Sequence, residues 1–187
     1  MLKAAIDIGT VTTRLLIGEL VDGRIDTLGY SGCITNLGEG LTGSGRISEA
    51  AYRRLLDALL GFREVLAEVE LRLAEEGREE TAIPVRAVAT SAMRDAANAS
   101  DVLAGLGAHG FDVEVISGKK EAELSFKGTL SGFKNLSEQV MSIDVGGGST
   151  ELILGTNSSD IIASHSYDIG SRRVTEMFLH DDPPSSS

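Results

Sequence analysis

The sequence predicts an α/β fold built on a mixed sheet, with a first unit over residues 1–125 and the beginning of a related second unit over 126–187. Two observations predict it. Strand-like and helix-like stretches alternate along the chain, the pattern of an α/β architecture. In addition, one stretch recurs. A shift of 137 positions, which carries Asp7 onto Asp144, lays "IDIGTVTTRLLIG" (6–18) on "IDVGGGSTELILG" (143–155). Ile6, Asp7, Gly9, Thr13, Leu15 and Gly18 then meet identical residues at Ile143, Asp144, Gly146, Thr150, Leu152 and Gly155. Two buried strands share Ile, Val, Leu and a closing Gly by chance often enough. A matched Asp and a matched row of hydroxyls are harder to obtain that way, so the segment reads as a duplicated strand–turn–strand unit.

The elements follow in order. "KAAIDIG" (3–9) is a short apolar run closed by Gly, a buried strand. "TRLLIGEL" (13–20) and "RIDTLGYSGCI" (24–34) are two more strands, and Asp22-Gly23 between them is a hairpin signal. "TNLGEGLTGSGR" (35–46) is a glycine-dense loop. Ser48 then caps a long helix to about Glu76, whose Tyr52, Leu55, Leu56, Leu59, Leu66, Val69 and Leu73 form one apolar stripe. Gly61 is a candidate kink, and Gly77 supplies the C-terminal stop. "IPVRAVAT" (83–90) is a strand, and "SAMRDAANASDVLAGL" one or two helices ended by Gly107 and Gly110. "FDVEVI" (111–116) is a strand, and Ser117 caps the helix that follows. "QVMSIDVG" (139–146), "TELILG" (150–155) and "DIIASHSYDIG" (160–170) are the later strands, followed by a helix from Ser171. The tail "DDPPSSS" reads as an unstructured stop or a linker.

Composition narrows the function classes. With 42% hydrophobic and 24% charged residues the chain can bury a core as an ordinary soluble protein does. The net charge of −11 and the absence of Trp argue against non-specific nucleic-acid binding, which needs a basic face and stacking platforms. A phosphate-bearing ligand is still allowed, because backbone amides, a few Lys or Arg and a metal ion reverse the local potential. Cys33 is alone, which fits a reducing cytoplasm without a disulfide framework. No apolar run approaches the ~20 residues that a membrane span needs, and the first residues lack a signal-peptide pattern.

The two duplicated turns carry the chemistry. Three consecutive glycines are costly in a packed core, so something must approach the main chain closely at Gly146, Gly147 and Gly148. A turn of Gly, Ser and Thr exposes several amides in a small concavity that suits phosphate oxygens, with Ser149 and Thr150 adding hydroxyls. Its counterpart Thr10-Val11-Thr12-Thr13 offers amides and hydroxyls without the glycine run. Asp7 and Asp144 lie at strand ends beside these turns. A carboxylate repels a phosphate unless a hard cation bridges them, and Mg²⁺ is the usual choice. Glu151 can serve the same ion or orient a water. For a lone Asp, an Asx-turn or cap is the better reading; two equivalent ones beside two phosphate-type turns favour function.

The stretches "AAIDIGT…TRLLI", "NLGEGL…GRIS", "ATSAMRDAANASD", "VEVISGKKEAELSFKG" and "SIDVGGGSTELILG" together resemble, in order, the motifs of the Ppx/GppA family. These are exopolyphosphatases and guanosine pentaphosphate phosphohydrolases of the actin, heat-shock chaperone and sugar-kinase superfamily. The resemblance implies an actin-like (ribonuclease H-like) first domain over 1–125 and an incomplete second one over 126–187. It implies a catalytic Glu121 that activates water, phosphate contacts from Arg94, Gly146, Gly147, Gly148 and Ser149, and Asp144 and Glu151 as ligands of Mg²⁺ or another divalent cation. The reading of the duplicated turn adds Thr10 and Thr12 to the phosphate contacts and Asp7 to the metal ligands. From the residues alone Glu123 is as eligible as Glu121, since either carboxylate suits the start of a helix. Val11 stands where the family pattern has Asn, and Asn36 where it has a basic residue. The implied partner is polyphosphate or a phosphorylated guanosine nucleotide, in the cytoplasm, with neither nucleic acid nor membrane; a homodimer is compatible with it. The competing readings are an ATP-binding kinase or chaperone-like module, and a non-catalytic or regulatory phosphate-binding relative.

Overall fold

The structure, a computed structural model, describes residues 1–21, 24–179, 181 and 183. The chain opens with an antiparallel meander of β1 (Leu2–Ile8), β2 (Thr12–Val21) and β3 (Arg24–Ile34). β4 (Val85–Ala89) and β5 (Val113–Val115) then extend the sheet in parallel on the other side of β1, giving the order β3-β2-β1-β4-β5. The three apolar runs at 3–9, 83–90 and 111–116 therefore share one sheet. Asp22 and Gly23 lie outside the described residues, as does most of the tail; the flanking Val21 and Arg24 pair directly.

The long helix α2 (Glu49–Glu75) starts where the Ser48 hydroxyl accepts the Ala51 amide at 3.1 Å. It runs through Gly61 as one element and ends before Gly77, whose φ of 79° only a glycine adopts readily. Its buried face comprises Ala51, Leu55, Ala58, Leu59, Phe62, Val69 and Leu73, packed on the sheet. Phe62 is among the largest fully buried side chains, yet the apolar stripe read from the sequence passes over it. The glycine loop holds one extra turn, α1 (Leu41–Ser44), bracketed by Gly40 and Gly45 at positive φ and pinned by buried Leu41.

The helical stretch after β4 divides into α3 (Ser91–Asp95) and α4 (Ala99–Ala108), the latter passing through Gly107. The division has a cause at Asn98. Its side-chain amide exchanges two hydrogen bonds with the Ile47 backbone, at 2.9 and 3.0 Å, which ties the α3–α4 corner to the glycine loop.

The second sheet comprises β6 (Gln139–Val145), β7 (Thr150–Thr156) and β8 (Ile161–Tyr167), another antiparallel meander. The duplication holds to the register. Ile8 pairs with Thr13 as Val145 pairs with Thr150, and both copies slip at one place, between Ile17 and Gly18 and between Leu154 and Gly155. The helix α5 (Gly118–Ser131) covers one face of this sheet, and the short α6 (Ser171–Phe178) follows β8. Position 125 thus lies within α5, whose Ala122 and Phe126 pack on Ile153 of β7. No helix among the described residues is long and apolar enough to cross a membrane.

Phe126 is fully buried at the centre of this small second cluster. Phe126→Ala is expected to cost about 3–5 kcal/mol there. Amide hydrogen exchange should show protection lost in β6–β8 while β1, β2 and β4 keep theirs. Uniform loss across both sheets would show instead that the chain unfolds as one unit.

Candidate functional site

The parallel strands β1 and β4 deliver their carboxyl ends to one edge of the first sheet, the edge where open α/β sheets bind ligands. Three features begin there: the turn after β1, α3 after β4, and α5 after β5. The second meander brings its own first turn against the same edge. A cleft of about 300 Å³ results, lined by Asp7, Thr10, Val11, Thr12, Glu121, Asp144, Gly146, Gly147, Gly148, Ser149 and Glu151, with Arg14, Thr90, Ser91 and Ser171 around them.

The two turns are closed by the same bond. The Gly9 amide donates to the Thr12 carbonyl at 3.0 Å, and the Gly146 amide to the Ser149 carbonyl at 2.9 Å. They also touch. A Cβ on Gly147 would lie 2.6 Å from a Val11 methyl, and one on Gly148 would lie 2.4 Å from the Ser91 hydroxyl and 2.7 Å from that of Thr10. Gly147 and Gly148 are therefore required by the approach of the first turn and of Ser91, which fill the space a side chain would take. Among the described residues, the amides of Gly147, Gly148 and Ser149 have no hydrogen-bond acceptor. Val11 supplies the methyl that packs on Gly147.

The carboxylates differ in their surroundings. Asp7 sits across the β1–β2 ladder from Arg14, 3.8 Å away, whereas the equivalent cross-strand neighbour of Asp144 is Glu151. The first copy is thus partly neutralised and the second is doubly acidic. Burial pushes the Asp7 carboxyl above its ordinary value against the pull of Arg14, and Asp144 pushes it further. Asp144 accepts a hydrogen bond from Ser125 of α5 at 2.5 Å. Glu151, 2% exposed, accepts one from Ser166 of β8 at 2.7 Å.

Glu121 enters from the first turn of α5, which the Ser117 hydroxyl caps by accepting the Lys120 amide. Its carboxylate accepts a 2.7 Å hydrogen bond from Arg94, which also donates to the Ile116 carbonyl at 3.0 Å. Arg94 thus stands behind Glu121, off the cleft wall. Burial raises the Glu121 pKa; Arg94 lowers it, and the charges of Glu151 and Asp7 raise it again, leaving it above the ordinary carboxylate value. Glu123, equally eligible by sequence, pairs instead with Lys120 at 3.4 Å outside the cleft.

Among the described residues no group of three His, Cys, Asp or Glu side chains is arranged to enclose a metal ion. Mg²⁺ asks less of a protein, since it is usually held by one or two carboxylates together with waters and phosphate oxygens. The hard oxygens of Asp7, Asp144 and Glu151 around one cleft fit that demand. Sequence reasoning missed Ser91, Gly170 and Arg173. Gly170 packs so closely on the Gly147–Gly148 peptide that a Cβ there would fall 2.4 Å from its carbonyl carbon.

The sequence pattern of the Ppx/GppA phosphatase family matches residues 16–187. The chain is 39% identical over 193 aligned residues to exopolyphosphatase 2 of Mycobacterium tuberculosis, an alignment spanning 97% of this chain and 56% of that protein. Among solved structures it is similar to an exopolyphosphatase from Cytophaga hutchinsonii (32% identity, TM-score 0.77, 100% of this chain and 56% of the other). It is similar also to the Aquifex aeolicus member of the Ppx/GppA family (32% identity, TM-score 0.71, 99% and 56%). The chain spans little more than half the length of these relatives.

The raised Asp7 pKa has a consequence for stability. The folded carboxyl keeps its proton to higher pH than the unfolded chain does, so its contribution is present below the ordinary carboxylate range and is lost as pH rises through the folded value. Asp7→Asn, measured by urea melts in a chelator, should therefore be the more stable protein at neutral pH. The gain should be roughly half a kcal/mol for this half-exposed group, vanishing at acid pH. A variant that is less stable at neutral pH would mean that the Arg14 pair outweighs burial.

Proposed function

The chain belongs to the Ppx/GppA phosphatase family, and on that premise we propose that it hydrolyses the terminal phosphoanhydride bond of inorganic polyphosphate, with guanosine pentaphosphate as the alternative substrate of the same chemistry. The names of its relatives support polyphosphate. The observation that carries the reading is the position of Glu121, a carboxylate of raised pKa fixed by Arg94 on a cleft whose opposite wall presents free amides.

The roles follow from that geometry. The amides of Gly147, Gly148 and Ser149 receive the oxygens of the terminal phosphate, with the hydroxyls of Thr10 and Thr12 on the facing turn. One or two of the carboxylates of Asp7, Asp144 and Glu151, with waters and phosphate oxygens, would hold Mg²⁺, which when bound would offset the charge of the phosphates and of the carboxylates themselves. Glu121 orients a water and takes its proton as the water attacks the terminal phosphorus. A carboxyl whose pKa is raised toward neutrality is a stronger base than an ordinary one. Arg94 keeps that carboxylate aimed and adds a positive charge beside it. Attack in line with the leaving phosphate releases inorganic phosphate and a chain one unit shorter.

The test is phosphate release from long-chain polyphosphate in the presence of Mg²⁺. Glu121→Gln keeps the shape and removes the base, so kcat should fall by ~10²–10⁴-fold with KM little changed. Asp144→Asn should shift the Mg²⁺ dependence to higher concentration. Equal turnover by Glu121→Gln and the parent would overturn the mechanism. A parent chain that binds polyphosphate and releases no phosphate would replace it with the non-catalytic reading.

A further inference from the structure

The peptides of the glycine turn are not free to choose their direction. The Gly146 carbonyl accepts the Ser171 amide at 2.9 Å, and the Gly147 carbonyl accepts those of Arg172 and Arg173 at 2.9 and 3.2 Å. These donors are the first amides of α6, which lack partners within their own helix. The Gly148 carbonyl accepts from the Arg173 side chain instead, Nε to O at 3.0 Å. In a trans peptide the carbonyl of one residue points away from the amide of the next. Holding the carbonyls of Gly146, Gly147 and Gly148 toward α6 therefore turns the amides of Gly147, Gly148 and Ser149 the other way, the way a nest for an anion requires.

The Ser171 hydroxyl adds a 3.3 Å bond to the Gly146 carbonyl from within α6, whereas the Arg173 side chain has another arm that crosses to the first unit. Its Nη2 donates to the Asp95 carboxylate and lies 3.5 Å from the Ser91 hydroxyl, both on α3. Ser91 is in turn the residue against which Gly148 packs. A second ion-pair group runs parallel to it, with Arg172 reaching Glu39 at 3.6 Å and Glu176 accepting the Gly40 amide at 3.0 Å. One guanidinium thus joins the direction of the Gly148–Ser149 peptide to the contact between the two units.

We infer that Arg173 is a positioning residue: it holds the Ser149 amide toward the cleft, and its anchor on Asp95 steadies it there, so the anion-binding turn is fully set only when the two units are together. This rests on the phosphate-binding reading given above. Arginine suits the task because its planar fork serves two acceptors at fixed directions; a lysine ammonium reaches one or the other. Without Arg173 the Gly148 carbonyl loses its partner and the Gly148–Ser149 peptide can rotate. Without the Asp95 charge the guanidinium keeps Gly148 but loses its anchor.

The experiment titrates inorganic tripolyphosphate, in the presence of Mg²⁺, into the 15N-labelled 187-residue chain and follows the amides of Gly147, Gly148 and Ser149, beside calorimetric affinities. In the parent these amides should shift on binding. Arg173→Gln should weaken binding by about 10-fold, the scale of one charge-assisted hydrogen bond, and abolish the Ser149 response, with the β1–β5 resonances unchanged. Asp95→Asn should weaken it by a smaller factor in the same direction. If Arg173→Gln does not fold, Arg173→Lys decides, with an affinity between those of the parent and Asp95→Asn or below both. Parent-like affinity and a parent-like Ser149 shift in Arg173→Gln, or in Arg173→Lys where that variant decides, would overturn the inference while leaving the phosphate site standing. Silence of all three amides in the parent would remove the site itself, and the inference with it. A purely structural role for Arg173 would lower the melting temperature without moving the Ser149 shift, and that outcome also overturns it.

Discussion

The arrangement depends on one contact, the seating of the Gly147–Gly148 backbone on Thr10, Val11 and Ser91. Protein interiors are close-packed, and a single Cβ at either glycine would force the side chains of Thr10, Val11 or Ser91 to shift. Because the contact is backbone against side chain, it brings Asp7 and Asp144 around one cavity and leaves amides without acceptors, among the described residues, beside it. The same contact explains why the cleft needs no bulky lining. Its walls are main chain, small hydroxyl residues and the carboxylates of Asp7, Glu121, Asp144 and Glu151, which suits a compact anion brought in with a cation better than an apolar ligand.

Duplication supplied two similar halves, and the departures from symmetry give them different work. Both copies keep the strand register, the slip at the second glycine and the bond that closes the turn. The cross-strand partner of the Asp, however, is Arg14 in one and Glu151 in the other. One copy is thereby near charge balance, while the other calls for a cation before any phosphate can approach. Glu121 belongs to neither copy. It arrives from the start of α5, the helix that leaves the first sheet and covers the second, so the proposed base is carried by the element that spans the two units.

The elements were legible in the sequence because they are written in local signals. Ser48 and Ser117 cap their helices as such residues do, and apolar runs closed by glycine became strands. The repeat was legible because register is set by side-chain alternation, which survives in the sequence as a row of matched residues. What escaped is what depends on distant partners. Phe62 was passed over on α2 because its burial is decided by the sheet beneath it, and α1 because its glycines read as loop. The glycine run was legible as a place of close approach, but the approaching group lay more than a hundred residues away in Thr10 and Val11. Arg173 and Gly170 carry no local mark at all; only the fold places them against the turn. For Glu121 the spacing could not separate it from Glu123, and the structure separates them by Arg94, which pairs with the former, and Lys120, which pairs with the latter.

The central claim is that two duplicated turns and Glu121 surround one phosphate. Crystals of the chain soaked with tungstate, a heavy tetrahedral surrogate for phosphate, in the presence of Mg²⁺ test it most directly through the anomalous signal. The account predicts one principal peak within hydrogen-bond reach of the Gly147–Ser149 amides, with the Thr10 and Thr12 hydroxyls opposite and room for a water between it and Glu121. A principal peak elsewhere on the molecule, with that cleft empty, would contradict it.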